Sequence, residues 1–141
     1  MDTPRKITIH SVHDGASLTL SGFRPEYGGP DTETFFATAT LGHWFAEVSA
    51  STYMTQNLGD FFRDLAANWR GWQGEKSWGT LEGEVTLTAT SDGTGHITMK
   101  FTLSQPYTGF EWQVSGALEL EAGSLERLAI VVSDAWNKPS I

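Results

Sequence analysis

Residues 58–84, LGDFFRDLAANWRGWQGEKSWGTLEGE, decide the fold because they join a clear amphipathic helix to a long β region. The apolar residues of this stretch recur at the spacing of one buried helix face. They are Leu58, Phe61, Phe62, Leu65, Ala66, Trp69 and Trp72. Asn57 is suited to cap the helix start, and Gly71 or Gly74 to end it. We therefore predict a helix over residues 57–71 whose aromatic side chains through Trp69 lie in the core.

Alternating apolar and polar residues on both sides of the helix predict about seven β-strands. The alternating segments are 6–10, 17–23, 32–41, 44–50, 81–90, 97–103 and 110–120. Pro and Gly at 24–31 and at 106–109 indicate a loop and a turn. Small Ala residues on the inner side of the third and fourth segments leave room for the bulky helix above them.

The number of residues in the loop after residue 90 determines which face of the hairpin is buried. A two-residue turn at 92–93 would bury the polar face, so the loop should contain an odd number of residues. Gly93 or Gly95 is suited to the left-handed conformation that such a loop needs. The polar face is then predicted to carry pairs such as Thr88 with Thr98 and Thr86 with Lys100.

These elements predict one domain, residues 1–141, of the α+β class. An antiparallel sheet is packed by the helix at 57–71 and by a C-terminal helix that follows Ser124 as its N-cap. A chain of 141 residues has the length of one domain. No internal repeat or interdomain linker is visible in the sequence.

Composition restricts the classes of function. The absence of Cys excludes disulfides and thiolate chemistry. The first residues do not resemble a signal peptide, and no apolar run approaches the ~20 residues of a membrane span, so we expect a cytoplasmic protein without a membrane partner. The net charge of −8 disfavours binding to nucleic acid. It serves either solubility or the attraction of a basic partner.

No catalytic constellation is recognisable. The four His residues, His10, His13, His43 and His96, lack the i, i+4 spacing of a helical metal site, so we predict no metal. Glu82 and Glu84 are predicted about 7 Å apart on one strand face, but a solvated sheet face explains them better than a catalytic dyad. Nucleophile, phosphate and dinucleotide motifs are missing, so we expect no cofactor and no enzyme activity.

The segment between Trp72 and Trp78 is the best candidate for recognition, because Trp is enriched at interface hot spots. The alternative is that both indoles lie beneath the segment and cover the core. Two carboxylates and a Lys close to the indoles complete the candidate partner-binding set. That set is Trp72, Lys76, Trp78, Glu82 and Glu84.

Three segments, 69–84, 87–103 and 118–129, resemble a family of uncharacterised bacterial domains, mainly from actinomycetes. The resemblance extends from about residue 32 onward. That family is in turn similar to the WapI-type immunity proteins in its order of strands, in the helix before a Gly-Glu strand and in the hairpin near His96. This resemblance implies a cytoplasmic protein that neutralises a cognate toxin, and it implies no catalytic residues.

Three functional hypotheses follow. The favoured one is a non-enzymatic protein-binding domain, specifically an immunity-type inhibitor of a basic toxin domain. The second is a small-molecule-binding domain or enzyme with a pocket between helix and sheet, formed by Trp69, Trp72, Trp112 and His96. The third is a structural homodimer that forms through exposed sheet edges or through the segment 72–78.

Overall fold

Two four-stranded antiparallel sheets and two α-helices form the fold in a computed structural model, which describes residues 5–26, 31–106 and 109–137. The first sheet contains β1 (Lys6–His10), β2 (Ser17–Pro25), β3 (Glu33–Leu41) and β4 (Trp44–Ser51), and α1 (Leu58–Ala67) follows it. The second sheet contains β5 (Lys76–Gly79), β6 (Val85–Ser91), β7 (His96–Gln105) and β8 (Trp112–Glu121). A short 3₁₀ turn, Ala122–Ser124, leads into α2 (Leu125–Asn137). Strands follow sequence order in each sheet.

The predicted α+β class with antiparallel strands and two helices is confirmed, but eight strands form two sheets rather than about seven forming one. The missed strand is β5, which lies in the segment predicted as a loop. Residues 81–84 were predicted to begin a strand, and they form a turn in which Gly83 has a φ of 79°. Residues 27–30 of the predicted loop and 107–108 of the predicted turn lie outside the described residues.

A four-stranded meander followed by a helix occurs twice along the chain, although no repeat is visible in the sequence. The inner faces of both sheets and the buried faces of both helices contribute to one hydrophobic core. Phe61 and Phe62 of α1 lie in this core together with Ala37 and Ala39 of β3, so large side chains of the helix are combined with small ones of the sheet.

Helix α1 starts where the sequence predicts and ends earlier. The side chain of Asn57 accepts a hydrogen bond of 2.8 Å from the backbone N–H of Gly59, which confirms the predicted cap. At the other end, the Asn68 side chain donates a 2.8 Å hydrogen bond to the carbonyl of Asp64, and the helix stops at Ala67. Trp69 therefore lies beyond the helix and is 53% exposed, so its predicted core position is wrong.

The loop of the β6–β7 hairpin contains an odd number of residues, as predicted. Ser91 pairs with Ile97 across a loop of odd length, and Gly93 and Gly95 have φ angles of 80° and 96°. The loop is two residues longer than the shortest odd loop, so the partner of Thr88 is Lys100 rather than Thr98.

The predicted C-terminal helix is confirmed as α2, but Ser124 does not cap it. The Ser124 hydroxyl instead donates a 2.8 Å hydrogen bond to the carbonyl of Glu121 within the 3₁₀ turn. Within the described part of the chain, neither helix is long and apolar enough to cross a membrane.

Helices α1 and α2 cross closely at Gly59 and Ser133, and this contact gives a first prediction. A Cβ atom on Gly59 would lie 2.8 Å from the Cα of Ser133, which belongs to the backbone and has little freedom to move. We expect Gly59→Ala to lower the free energy of unfolding by about 1–3 kcal/mol, despite the higher helix propensity of Ala. Urea denaturation measures this loss.

Gly123→Ala is the matched control for Gly59→Ala, because a Cβ atom at Gly123 meets nothing within 4 Å. The control should change the free energy of unfolding by less than about 0.5 kcal/mol. Equal effects of the two substitutions would contradict the close crossing at Gly59.

Candidate functional site

The two indoles that flank the predicted recognition segment belong to the interior more than to the surface. Trp78 lies on β5, is 2% exposed and donates a 2.6 Å hydrogen bond from Nε1 to the carbonyl of Gln56. Trp72 is half-buried against the core and donates from Nε1 to the carbonyl of Ala89 at 3.2 Å. The alternative in which the two indoles cover the core therefore describes Trp78 fully and Trp72 in part.

Lys76 is also occupied within the protein. Its Nζ atom lies 2.9 Å from Oδ2 of Asp64 on α1, and 5.9 Å from the centroid of the Trp72 ring. Lys76 thus connects β5 to α1 and approaches the indole face, where a cation is attracted electrostatically. Trp78 is thus buried, whereas Trp72 and Lys76 are partly exposed and make contacts within the protein.

Glu82 and Glu84, the other two predicted residues, line a pocket of about 270 Å³. They lie on the turn between β5 and β6, which meets the end of β2 and the chain that leaves β4. The described residues that line this acidic pocket are Glu26, Ser51, Tyr53, Leu81, Glu82 and Glu84. The turn, rather than a strand face, therefore brings the two predicted carboxylates into contact with residues from the first half of the chain.

Hydrogen bonds hold two of the pocket carboxylates in place. Glu26 Oε2 accepts a 2.9 Å hydrogen bond from the Ser51 hydroxyl, whose oxygen also accepts from the backbone N–H of Tyr53 at 3.0 Å. Glu84 Oε1 accepts a 2.9 Å hydrogen bond from the Thr80 hydroxyl. These bonds position acceptor groups at the pocket before any ligand arrives.

Exposed apolar side chains complete the acidic pocket. Tyr53 is 54% exposed and Leu81 is 51% exposed, and none of the described residues that line the pocket is Lys, Arg or His. Carboxylates can accept the N–H groups of a guanidinium or ammonium group, while an aromatic ring and a Leu side chain can cover the methylenes that carry it. The arrangement is thus suited to a long cationic side chain.

Sequence reasoning missed Glu26, Tyr53 and Leu81. One signal was present, because Tyr53 and Met54 are large apolar residues in an otherwise polar connection between a strand and a helix. Such residues, when exposed, often mark a contact surface. Met54 also has a φ of 50°, a left-handed conformation that residues other than Gly rarely adopt.

A second, more open groove of about 680 Å³ lies where α1 ends beside the β6–β7 loop. It brings together Trp69 and His96, two of the residues predicted for a small-molecule pocket, and Arg70 lies with its Cζ atom 5.1 Å from the Trp69 ring centroid. Trp72 does not line the groove, and Trp112 pairs with Gln105 at the opposite end of β7. The predicted four-residue pocket between helix and sheet is therefore not formed.

Asp92 organises the loop beside this groove. Its Oδ1 atom accepts hydrogen bonds from the backbone N–H groups of Thr94 at 2.7 Å and His96 at 3.2 Å, and Oδ2 lies 2.9 Å from Nδ1 of His96. The hydrogen bonds from Thr94, first through its N–H, hold the pKa of Asp92 well below its usual range, and those from His96 act in the same direction.

The lowered pKa of Asp92 predicts how stability changes with pH. The ionised carboxylate stabilises the fold above its unfolded-state pKa of about 3.9, and this contribution is lost as the pH falls toward the lower pKa of the folded state. We expect Asp92→Asn to be less stable than wild type at neutral pH and the gap to narrow below about pH 4. Denaturant midpoints measured between neutral and acidic pH test this.

Glu75→Gln is the control for Asp92→Asn, because Glu75 is exposed and its substitution makes the same change in net charge. Subtracting its effect isolates the local hydrogen bonds of Asp92. Parallel stability curves for wild type and Asp92→Asn at all pH values would contradict the prediction.

Among the residues that the structure describes, no three His, Asp or Glu side chains are grouped closely enough to hold a metal ion. His96 and Asp92 form a pair without a third candidate ligand. Among the described residues, the acidic pocket and the open groove are the concave sites that contain residues predicted for recognition or for a ligand.

Comparisons with known proteins match one family model and two solved structures. No curated protein matches the chain. The solved structure of MRP1/MRP2 from Trypanosoma brucei shares 14% identity at a TM-score of 0.43, over 95% of this chain and 84% of that one. The plant transcriptional regulator PBF-2 shares 10% identity at a TM-score of 0.45, over 95% of this chain and 81% of that one.

The model of a family of unknown function, DUF6228, matches residues 9–138. The match covers both sheets and both helices apart from most of β1. It confirms the predicted membership of an uncharacterised family, whereas the actinomycete source and the likeness to WapI-type immunity proteins stay predictions. The chain belongs to the DUF6228 family.

Proposed function

We propose that the chain is a non-enzymatic protein-binding domain whose acidic pocket receives a Lys or Arg side chain from a basic protein. More specifically, we propose that it is an immunity-type inhibitor that neutralises a toxin domain. The observation that carries the proposal is the convergence of Glu26, Glu82 and Glu84 between exposed Tyr53 and Leu81.

The composition of the acidic pocket supports a protein partner. Charge-assisted hydrogen bonds to carboxylates are stronger than neutral ones, and Tyr is enriched at the centres of interfaces. The net charge of −8 also favours a basic partner at longer range, because it attracts a basic protein during diffusion. It repels the phosphates of nucleic acids.

The size of the acidic pocket favours a side chain over a free ligand. Its volume of about 270 Å³ falls below the roughly 300–1,000 Å³ of typical small-molecule sites. One long side chain of a docked protein fills such a space, while the surrounding protein surface supplies the remaining contact area.

Co-purification with a basic protein encoded beside this chain tests the proposal. We expect the two proteins to form a complex that weakens as salt is raised, and we expect the complex to abolish the partner's toxicity. Tyr53→Ala and Glu82→Gln should each weaken the complex by about tenfold or more.

Glu75→Gln is again the matched control, because it removes an exposed carboxylate outside the acidic pocket. It should change binding by less than about threefold, the effect of a peripheral charge. If the partner neither binds nor is neutralised at any salt concentration, or if the pocket variants bind as tightly as the control, the proposed function is wrong.

A further inference from the structure

The outer edge of β4 presents backbone groups to solvent. The two-residue turn at Gly42 joins the paired residues Leu41 and Trp44, and the N–H of Thr52 donates to the carbonyl of Glu33 at 2.8 Å. Even-numbered residues of β4 therefore bond to β3, and the alternate residues direct their N–H and C=O groups away from the sheet. These outward residues are Phe45, Glu47, Ser49 and Ser51, and the carbonyl of Ser51 accepts from the Thr55 hydroxyl at 3.5 Å.

The other sheet edges are shortened or covered. Strand β5 has only four residues, and β1 has five and is packed by α2. Strand β8 is joined at Glu119, whose carbonyl accepts from the N–H of Val12 and whose N–H donates to the Ser11 hydroxyl, both at 2.9 Å. Short and covered edges are the usual ways in which proteins prevent unwanted strand pairing.

Strand β4 approaches β7 of the second sheet, but it has neither the shortness of β1 and β5 nor the backbone connection of β8. It has eight residues, an uninterrupted register with β3, and neither Pro nor Lys. Within residues 5–26, 31–106 and 109–137, no backbone hydrogen bond outside the ladders involves Phe45, Glu47 or Ser49. Trp44 and Phe45 are also exposed at the start of the strand. A long, exposed edge of this kind is a template for another strand.

The free edge leads directly to the acidic pocket. Ser51 follows Glu47 and Ser49 on the same side of β4 and belongs to the pocket lining. Glu47 and Ser51 are four residues apart, which corresponds to about 13 Å along a strand. Alternate residues of an added strand share one face, so two of its side chains with this spacing can reach both positions.

We propose that β4 binds an extended segment of a basic partner as a fifth strand of the first sheet. One cationic side chain of the segment lies opposite Glu47, and a second, four residues along, enters the acidic pocket. This inference rests on the proposed function and adds the conformation of the bound segment and the spacing of its basic residues.

Charge distinguishes this occupant from a second copy of the chain. If the β4 strands of two copies paired in antiparallel fashion along most of their length, Glu47 of one copy would lie directly or diagonally opposite Glu47 of the other. The two carboxylates would then be within about 8 Å of each other. The exposed residues of β4 include no Lys or Arg to offset that repulsion. A segment with Lys or Arg at these positions replaces the repulsion with an attractive cross-strand pair.

Synthetic peptides test the inference without a known partner. The probe is an extended peptide of alternating Val and Thr with two Arg residues four positions apart, titrated while the amide signals of Phe45, Glu47 and Ser49 are followed by NMR. N-methylation of the peptide N–H groups that face β4 removes several hydrogen bonds and should weaken binding by about tenfold or more. N-methylation of the alternate set should change it by less than about threefold.

Protein variants provide the complementary arm. The N–H of Ser49 points away from β3, so Ser49→Pro removes an edge donor without removing a ladder bond. We expect Ser49→Pro to weaken peptide binding by about tenfold, whereas Ser49→Ala, which keeps the N–H, binds like wild type. If Ser49→Pro fails to fold, the two methylated peptides still decide the question.

The outcomes separate this inference from the proposed function. Strand addition is overturned if no peptide binds at about 1 mM, if both methylated sets weaken binding equally, or if sedimentation shows a homodimer that Ser49→Pro dissociates. Neutralisation of the partner toxin with sensitivity to Tyr53→Ala but not to Ser49→Pro would keep the proposed function and remove the strand. Insensitivity to both variants would remove both.

Discussion

Replacing Trp78 with Ala should lower the free energy of unfolding by about 3–5 kcal/mol, the range for a large buried aromatic side chain. Trp78 is almost completely buried, and its ring contacts Trp136 edge to face with centroids 5.8 Å apart. Its indole N–H also satisfies the carbonyl of Gln56 just before α1 begins. The substitution thus removes packing and a hydrogen bond together. Urea denaturation of the purified variant measures the loss.

Two further variants separate these contributions of Trp78. Trp78→Phe keeps most of the packing but leaves the Gln56 carbonyl without its donor, and it should cost about 1–3 kcal/mol. Trp69→Ala is the matched control, because Trp69 is half exposed beyond the end of α1, and it should cost less than about 1 kcal/mol. Similar losses for Trp69→Ala and Trp78→Ala would place both indoles in equivalent environments and contradict the structure.

The strands were largely predictable from the sequence because one face of each sheet is buried. Burial of one face imposes a period of two, which is visible around Ile7, Ala37 and Leu87. The same period led to a wrong strand prediction at residues 81–84, where LEGE continues the alternation but the chain turns at Gly83. Strand β5 was missed because four residues beside Gly are too few to show any period.

The end of α1 could not be predicted, because a stop signal at Asn68 competed with an apolar pattern that continues beyond it. Trp69 and Trp72 continue the apolar spacing past Asn68, whereas the Asn68 side chain bonds to the last turn and ends the helix. Periodicity records which residues are apolar and not which of them the core has room for. Trp136 of α2 occupies the interior beside Trp78 instead, and no local pattern relates these two residues.

The candidate site was only half predictable for a similar reason. Glu82 and Glu84 were recognised as a pair from their spacing, although the assumed strand was wrong. Glu26 and Tyr53 come from the other half of the chain and reach the pocket through the packing of the two sheets. Such a meeting depends on tertiary structure, and a single sequence does not display it.

Arg5 connects the first sheet to α2. Its side chain is 9% exposed and pairs with Glu33 through two hydrogen bonds of 2.6 and 3.0 Å. It also donates to the carbonyls of Ala135 at 2.9 Å and Trp136 at 3.2 Å, near the end of α2. Its guanidinium carbon lies 4.6 Å from the centroid of the Phe23 ring.

We expect Arg5→Ala to lower the free energy of unfolding by about 3–5 kcal/mol, because it removes the cation from a largely buried carboxylate and a donor from two helix carbonyls. Arg5→Lys keeps the charge but lacks the planar fork that reaches Glu33 and the two helix carbonyls together, so it should recover less than half of the loss. Urea denaturation of the variants measures both effects. Lys6→Ala, at an exposed neighbouring position, should change stability by less than about 0.5 kcal/mol.

A double-substitution cycle with Glu33→Ala shows whether Arg5 acts mainly through the ion pair. If it does, Arg5→Ala should cost little once Glu33 is already Ala. The donors to Ala135 and Trp136 predict instead that a substantial part of the loss persists, on the order of 1–2 kcal/mol, because those carbonyls depend on Arg5 and not on Glu33. Complete disappearance of the loss in the Glu33→Ala background would show that the contact of Arg5 with α2 contributes nothing to holding the helix against the sheet.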